Sequence, residues 1–142
     1  MRSLIAAPML AALALVVSPA YAEMEHFKAN LTGPAEAPPS DSKGVGTVDA
    51  TYDPATKKLD WTIEYSGLTG PAIAAHFHGP APAGKAAPIE VPITGSLASP
   101  IKGSATLTDA QAKDLVDGMM YFNIHTNAHK PGEIRGQMEK AM

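Results

Sequence analysis

Three features of this sequence predict an antiparallel all-β domain, a sandwich or flattened barrel of about seven or eight short strands with one short helix. Apolar and polar residues alternate in several short runs, the pattern of strands with one buried face. Glycine and proline together make 25 of 142 residues and fall between those runs, where turns are needed. There is no cysteine, so neither disulfides nor thiolate metal sites contribute and the core alone must hold the fold.

In the first run Phe27, Ala29 and Leu31 alternate with His26, Lys28 and Asn30 up to Gly33-Pro34, and residues 35–43, rich in Pro, Ser and Ala, read as a loop. Val48, Ala50 and Tyr52 then alternate with Thr47, Asp49 and Thr51, and 53–57 supply a turn. Leu59, Trp61, Ile63 and Tyr65 form the most regular alternation of all, with Asp60, Thr62 and Glu64 facing outward. These two runs predict a hairpin with Trp61 as a core anchor. Further on, Ile89, Val91 and Ile93 enclose Pro92, which marks an edge strand, and 101–107 form another short strand. Thr108 and Gln111 fit a capping box for the one predicted helix, which Gly118 should end. The helix is expected to lie across an open end of the sheet.

Residues 1–22 read as a cleaved export signal: Met1-Arg2, an apolar stretch from Leu4 to Val17, and the small-x-small site Ala20-Tyr21-Ala22. The stretch is too short for a convincing membrane span. A mature domain of residues 23–142, periplasmic or extracellular, is expected. Loss of Arg2 with the leader moves the net charge from −3 to −4. That mild acidity argues against a nucleic-acid partner and against an anionic membrane surface, both of which call for clustered basic residues.

Chemistry is concentrated in two stretches. In Ala75-His76-Phe77-His78-Gly79-Pro80-Ala81, strand parity turns Ile73, Ala75 and Phe77 to the core and His76 and His78 to the other face. In Tyr121-Phe122-Asn123-Ile124-His125-Thr126, the same parity turns Met120, Phe122 and Ile124 inward and Tyr121, Asn123 and His125 outward. If the two strands are neighbours, imidazoles spaced by about 6.6 Å along a strand and about 4.8 Å across could converge. Pro80 ends regular pairing, and residues 80–88 form a loop of small residues able to lie over that face.

The run H-F-H-G-P-A with Gly84 and Pro88 behind it, followed by Y-F-N-I-H-T-N-A-H-K-P-G-E-I-R-G-Q, resembles the CHRD domain, named for the repeats of chordin and found singly in bacterial secreted proteins. The resemblance covers essentially the whole mature chain. It implies an all-β domain without an established catalytic set, and the strand count makes an immunoglobulin-like or superoxide-dismutase-like β-sandwich the expected form.

Imidazole suits copper and zinc, and without thiolates the divalent-metal order favours Cu(II). His76, His78 and His125 are therefore candidate metal ligands, with His129 in the following turn a candidate fourth nitrogen or a solvated residue. The same rings could instead hydrogen-bond loop backbone and brace the Pro-rich connection. Asn123, Glu133 and Arg135 are candidates to orient an imidazole or draw in a small anion, and a Glu133–Arg135 pair bracing the turn at Asn127 is the structural alternative. One of Met119 and Met120 should be core, the other a gap-filler.

The sequence thus predicts a binding module whose histidine-lined site takes copper or zinc. Two alternatives stay open: a metal-free protein-interaction module, and an enzyme similar in outline to copper-zinc superoxide dismutase. The second departs from that pattern in its lack of disulfide cysteines, its lack of a bridging histidine, and the mere ten positions from His125 to Arg135. No nucleophile elbow, phosphate loop or dinucleotide fingerprint is present.

Overall fold

The structure, a computed structural model, describes residues 13–18 and 22–142. Ala20 and Tyr21 of the expected cleavage site, and most of the apolar leader, lie outside the described residues. Residues 13–18 have no regular secondary structure, and Leu13, Leu15, Val16 and Val17 are exposed. Among the described residues no helix is long and apolar enough to cross a membrane.

Among the described residues, nine strands and one helix follow in the order β1 (Glu25–Thr32), β2 (Val45–Asp53), β3 (Lys58–Ser66), β4 (Ala72–His78), β5 (Ile89–Pro92), β6 (Ile101–Thr106), α1 (Asp109–Val116), β7 (Tyr121–Thr126), β8 (Ile134–Gln137) and β9 (Glu139–Lys140). They form one antiparallel sheet ordered β5-β4-β7-β8-β1-β2-β3-β6, with β9 on β1. Trp61 on β3 nevertheless lies 5.2 Å from Phe77 on β4, although four strands separate β3 from β4 in the sheet. The sheet is therefore rolled into a near-barrel whose two halves face each other, as the alternation predicts.

That alternation sorts the residues as expected in β1 to β3. Phe27, Ala29, Leu31, Val48, Ala50, Tyr52, Leu59, Trp61 and Ile63 are all buried. The predicted hairpin joins Asp53 to Lys58, with Asp53 Oδ1 accepting from Ala55 N–H at 2.9 Å. Gly103 on β6 lies under Trp61: a Cβ there would stand 2.9–3.0 Å from three indole atoms, so the close approach of β6 requires glycine. Pro92 sits on β5, an edge strand as predicted.

The capping box forms. Gln111 N–H donates to Thr108 Oγ1 at 3.2 Å and Thr108 N–H to Gln111 Oε1 at 3.0 Å. Gly118, at φ +73°, ends the helix, and Leu115 reaches the core.

Two expectations of parity fail. Ile73 is exposed, not core, because the β4–β7 register shifts between Ala72 and Ala74 and that irregularity takes Ile73 off the inner face. Ile89, at the outer end of β5, is exposed as well, while Val91 is buried and Ile93 partly so.

Candidate functional site

β4 and β7 are direct neighbours, and their antiparallel register sets His76 opposite Asn123, His78 opposite Tyr121 and Ala74 opposite His125. The inward side chains Phe77, Phe122 and Ile124 are fully buried and anchor both strands. On the opposite face His76, His78 and His125 come together, each offering one ring nitrogen within 4.8 Å of the others. Three imidazoles so placed could hold a metal ion.

Backbone carbonyls select the tautomers of two of these rings. His125 Nδ1 donates to Lys130 O at 2.7 Å, which leaves its Nε2 as a lone pair. His78 Nδ1 stands 3.0 Å from Ala87 O and likewise donates, leaving Nε2 free to accept. His76 Nδ1 lies 3.3 Å from His125 Nε2 and must donate to it in the metal-free protein. A carbonyl behind a histidine is the usual way a metal-binding imidazole is oriented.

Burial lowers the basicity of this cluster. His76 is pushed down to about 4, first by desolvation and then by the neighbouring charges that His125 and His78 would carry. Desolvation also lowers His78, more than its hydrogen bonds to Ala87 and Asn123 restore. Rings that resist protonation keep their lone pairs available to a cation.

The loop over 79–88 covers one side of the site, and the residues beneath it are consequently buried although they point away from the core. Tyr121 stacks on His78 with ring centroids 4.8 Å apart and planes 6° from parallel, and its hydroxyl accepts from Ala87 N–H at 3.0 Å. Arg135 lies over the Tyr121 ring at 3.4 Å from the centroid and donates to Lys85 O at 2.6 Å. Gln137 donates to Ala81 O at 2.7 Å and Gly118 O at 2.8 Å. Arg135 is thus turned to Tyr121 and the loop carbonyls, with the phenol ring between it and His78.

Glu133 occupies a separate place. It is fully buried, and its carboxylate accepts from Ser42 Oγ at 2.9 Å, Thr69 N–H at 2.9 Å, Thr69 Oγ1, and Thr126 Oγ1 at 2.7 Å. Burial works to raise its pKa, but the hydrogen bonds from Thr69, Thr126 and Ser42 outweigh it and hold the carboxyl below the usual range. The expected Glu133–Arg135 pair is not formed. The four donors come from the 40s loop, the β3–β4 connection and β7, so this carboxylate ties three segments together. His129, expected as a fourth nitrogen or a solvated residue, is outside the three-imidazole cluster; its Nε2 is 3.6 Å from Asp41 Oδ1.

Glu36 escaped the sequence reading. It is buried beneath the 30s loop, and burial raises its carboxyl to about 7 despite the opposing charge of Arg135 and hydrogen bonds from Ala37 and Asn123. Gly132, at φ +134°, passes so close that any Cβ would collide with the Glu36 carboxyl. The available signal was a single charge among Pro34, Ala35, Ala37, Pro38 and Pro39.

A rolled antiparallel sheet carrying two histidines on one strand and a third on its neighbour, under a loop rich in small residues, defines a β-module more narrowly than its topology alone. The CHRD domain family model matches residues 27–138, and the chain belongs to that family. No curated protein and no solved structure gives a significant match.

Proposed function

We propose that this CHRD domain is an exported metal-binding module whose ion, copper or zinc, is held by His76, His78 and His125. The observation that carries the reading is the 3.3 Å between His76 Nδ1 and His125 Nε2. Two nitrogens each about 2.05 Å from one ion lie 3.3 Å apart when they subtend about 107°, near the tetrahedral angle. The cation takes the place of the proton now shared by those two atoms, and His76 moves its own proton to Nε2. The outer limit of 4.8 Å among the three nitrogens exceeds the roughly 4.1 Å available to two ligands trans across one ion, so binding draws a ring inward by on the order of 1 Å.

For the same imidazole donors the divalent-metal order places Cu(II) above Zn(II). The likeness to a dismutase does not extend beyond sheet and histidines, since Tyr121 stands between Arg135 and His78.

Calorimetry on the untagged protein at pH 7.5 tests the reading. One ion per chain should bind saturably, and His78→Ala or His125→Ala should abolish binding while His26→Ala leaves it. Absence of saturable binding in the native sequence overturns it in favour of a metal-free interaction module. Export is tested independently by intact mass, which should give a chain beginning at Glu23; full-length protein retained in the cytoplasm would refute it.

A further inference from the structure

His78 stands between two oxygens. Nδ1 is 3.0 Å from Ala87 O, and Nε2 is 3.0 Å from Asn123 Oδ1. Both are acceptors, whereas a neutral imidazole has one N–H and can serve only one of them. A doubly protonated ring would serve both, at the cost of placing a charge in a covered site beside two other imidazoles. A cation at Nε2 resolves the conflict: Nδ1–H stays on Ala87 O, and the lone pairs of Nε2 and Oδ1 both turn to the ion.

We infer that Asn123 Oδ1 is the fourth donor of the site, completing a set of three imidazole nitrogens and one amide oxygen. This rests on the metal reading above. A nitrogen at about 2.05 Å and an oxygen at about 2.1 Å from one ion lie 3.0 Å apart when they subtend about 90°. Combined with the wider angle at His76 and His125, that gives a four-coordinate geometry between tetrahedral and tetragonal, and tetragonal N,O sets suit Cu(II). The side chain is well placed for the role. Asn123 is 3 % exposed and sits opposite His76 in the ladder. Its amide also lies close enough to the buried Glu36 carboxyl to favour the ionised form of that group. An NH2 group turned to Glu36 would keep the oxygen toward His78. The reversed amide would present NH2 to His78 Nε2 and be a hydrogen-bond partner without being a ligand, and the two arrangements differ in what copper would report.

The test is Cu(II) affinity by competition with a chelator, and electron paramagnetic resonance in H2O and D2O, on the untagged protein, Asn123→Asp and Asn123→Leu. Asn123→Asp keeps the oxygen donor and adds charge, so copper should bind at least ten-fold tighter even though the metal-free protein melts lower. Asn123→Leu keeps the volume and loses the donor, so affinity should fall at least ten-fold and an exchangeable water should enter the equatorial plane. A purely structural asparagine would leave both the copper affinity and the equatorial water unchanged in Asn123→Leu, whereas tightening in Asn123→Asp is required by the assignment but is also expected from the added charge alone. An Asp variant no tighter than the native protein, or a Leu variant with native affinity and an unchanged spectrum, overturns the assignment while leaving the three-histidine site standing. Should Asn123→Leu fail to fold, Asn123→Ala, which also removes the donor, is read in the same way. If the native sequence binds no copper, the metal reading itself falls with it.

Discussion

The Arg135 guanidinium lies 3.4 Å from the centroid of the Tyr121 ring, and the same ring is stacked on His78. The phenol thus joins cation to imidazole, and the cation also grips the loop through Lys85 O. Arg135→Ala removes a charged hydrogen bond and a cation–π contact together, and should cost about 2–4 kcal/mol in urea unfolding. Arg135→Lys retains the charge but not the flat stacking surface or the fork. It should recover less than half of that loss and leave metal affinity below that of the native protein.

Trp61 bridges the two halves of the rolled sheet through Phe77. Trp61→Ala should cost about 3–5 kcal/mol, a large part of the stability of a domain this size. Thr62→Ala, one residue along on the outer face, should change the urea midpoint little. Equal effects from the two would contradict the observed burial of Trp61.

Glu133 is an ion held entirely by neutral donors. Glu133→Gln turns an NH2 group toward hydrogens and leaves buried polar atoms unpaired, so a loss of about 2–4 kcal/mol is expected by thermal or urea unfolding. Ser42→Ala, which removes only one of the four donors, should cost less than half as much. A native-like melting temperature for the Gln variant would show that the charge is dispensable.

The pH dependence has opposing limbs. His76, lowered to about 4, favours the fold fully above its ordinary 6.5, and that contribution is lost as pH falls from about 6.5 toward 4. Glu133, also lowered, contributes above 4.5 and loses that contribution at lower pH still. Glu36 has the reverse sign: raised to about 7, it favours the fold fully below 4.5 and progressively less as pH rises through 7. Melting curves should therefore show Glu36→Gln gaining on the native protein between pH 5 and 8 and matching it near pH 4. The metal should also stay bound below pH 6.5, because His76 and His78 resist protonation there.

Much of this was legible because β1, β2 and β3 each bury one face only, and side-chain alternation then reports directly on the core. The helix was legible for a local reason, since Thr108 and Gln111 satisfy each other's backbone across one turn. The meeting of His76, His78 and His125 followed from parity once β4 and β7 were taken as neighbours. What parity could not show was the second covering layer. Tyr121, Asn123 and Arg135 point away from the core and are buried all the same, because residues 79–88 fold back over them. Glu36, and the partners of Glu133, were illegible for a related reason. Their partners lie 64 to 93 positions away for Glu133, apart from the nearby Thr126, and in the strands and turns of the far motif for Glu36. Ile73 was misplaced by a break of register that no residue type announced.

The carbonyls that fix the histidine tautomers, Ala87 O and Lys130 O, belong to loops and not to the sheet. Side-chain identity therefore does not exhaust what determines the behaviour of this site. A chain could keep all three histidines and still lose their tautomeric order if either loop changed length, and a lineage could diversify its coordination chemistry by loop insertion alone without disturbing the core. Inheritance of the histidines and inheritance of their chemistry are, in this architecture, separable traits.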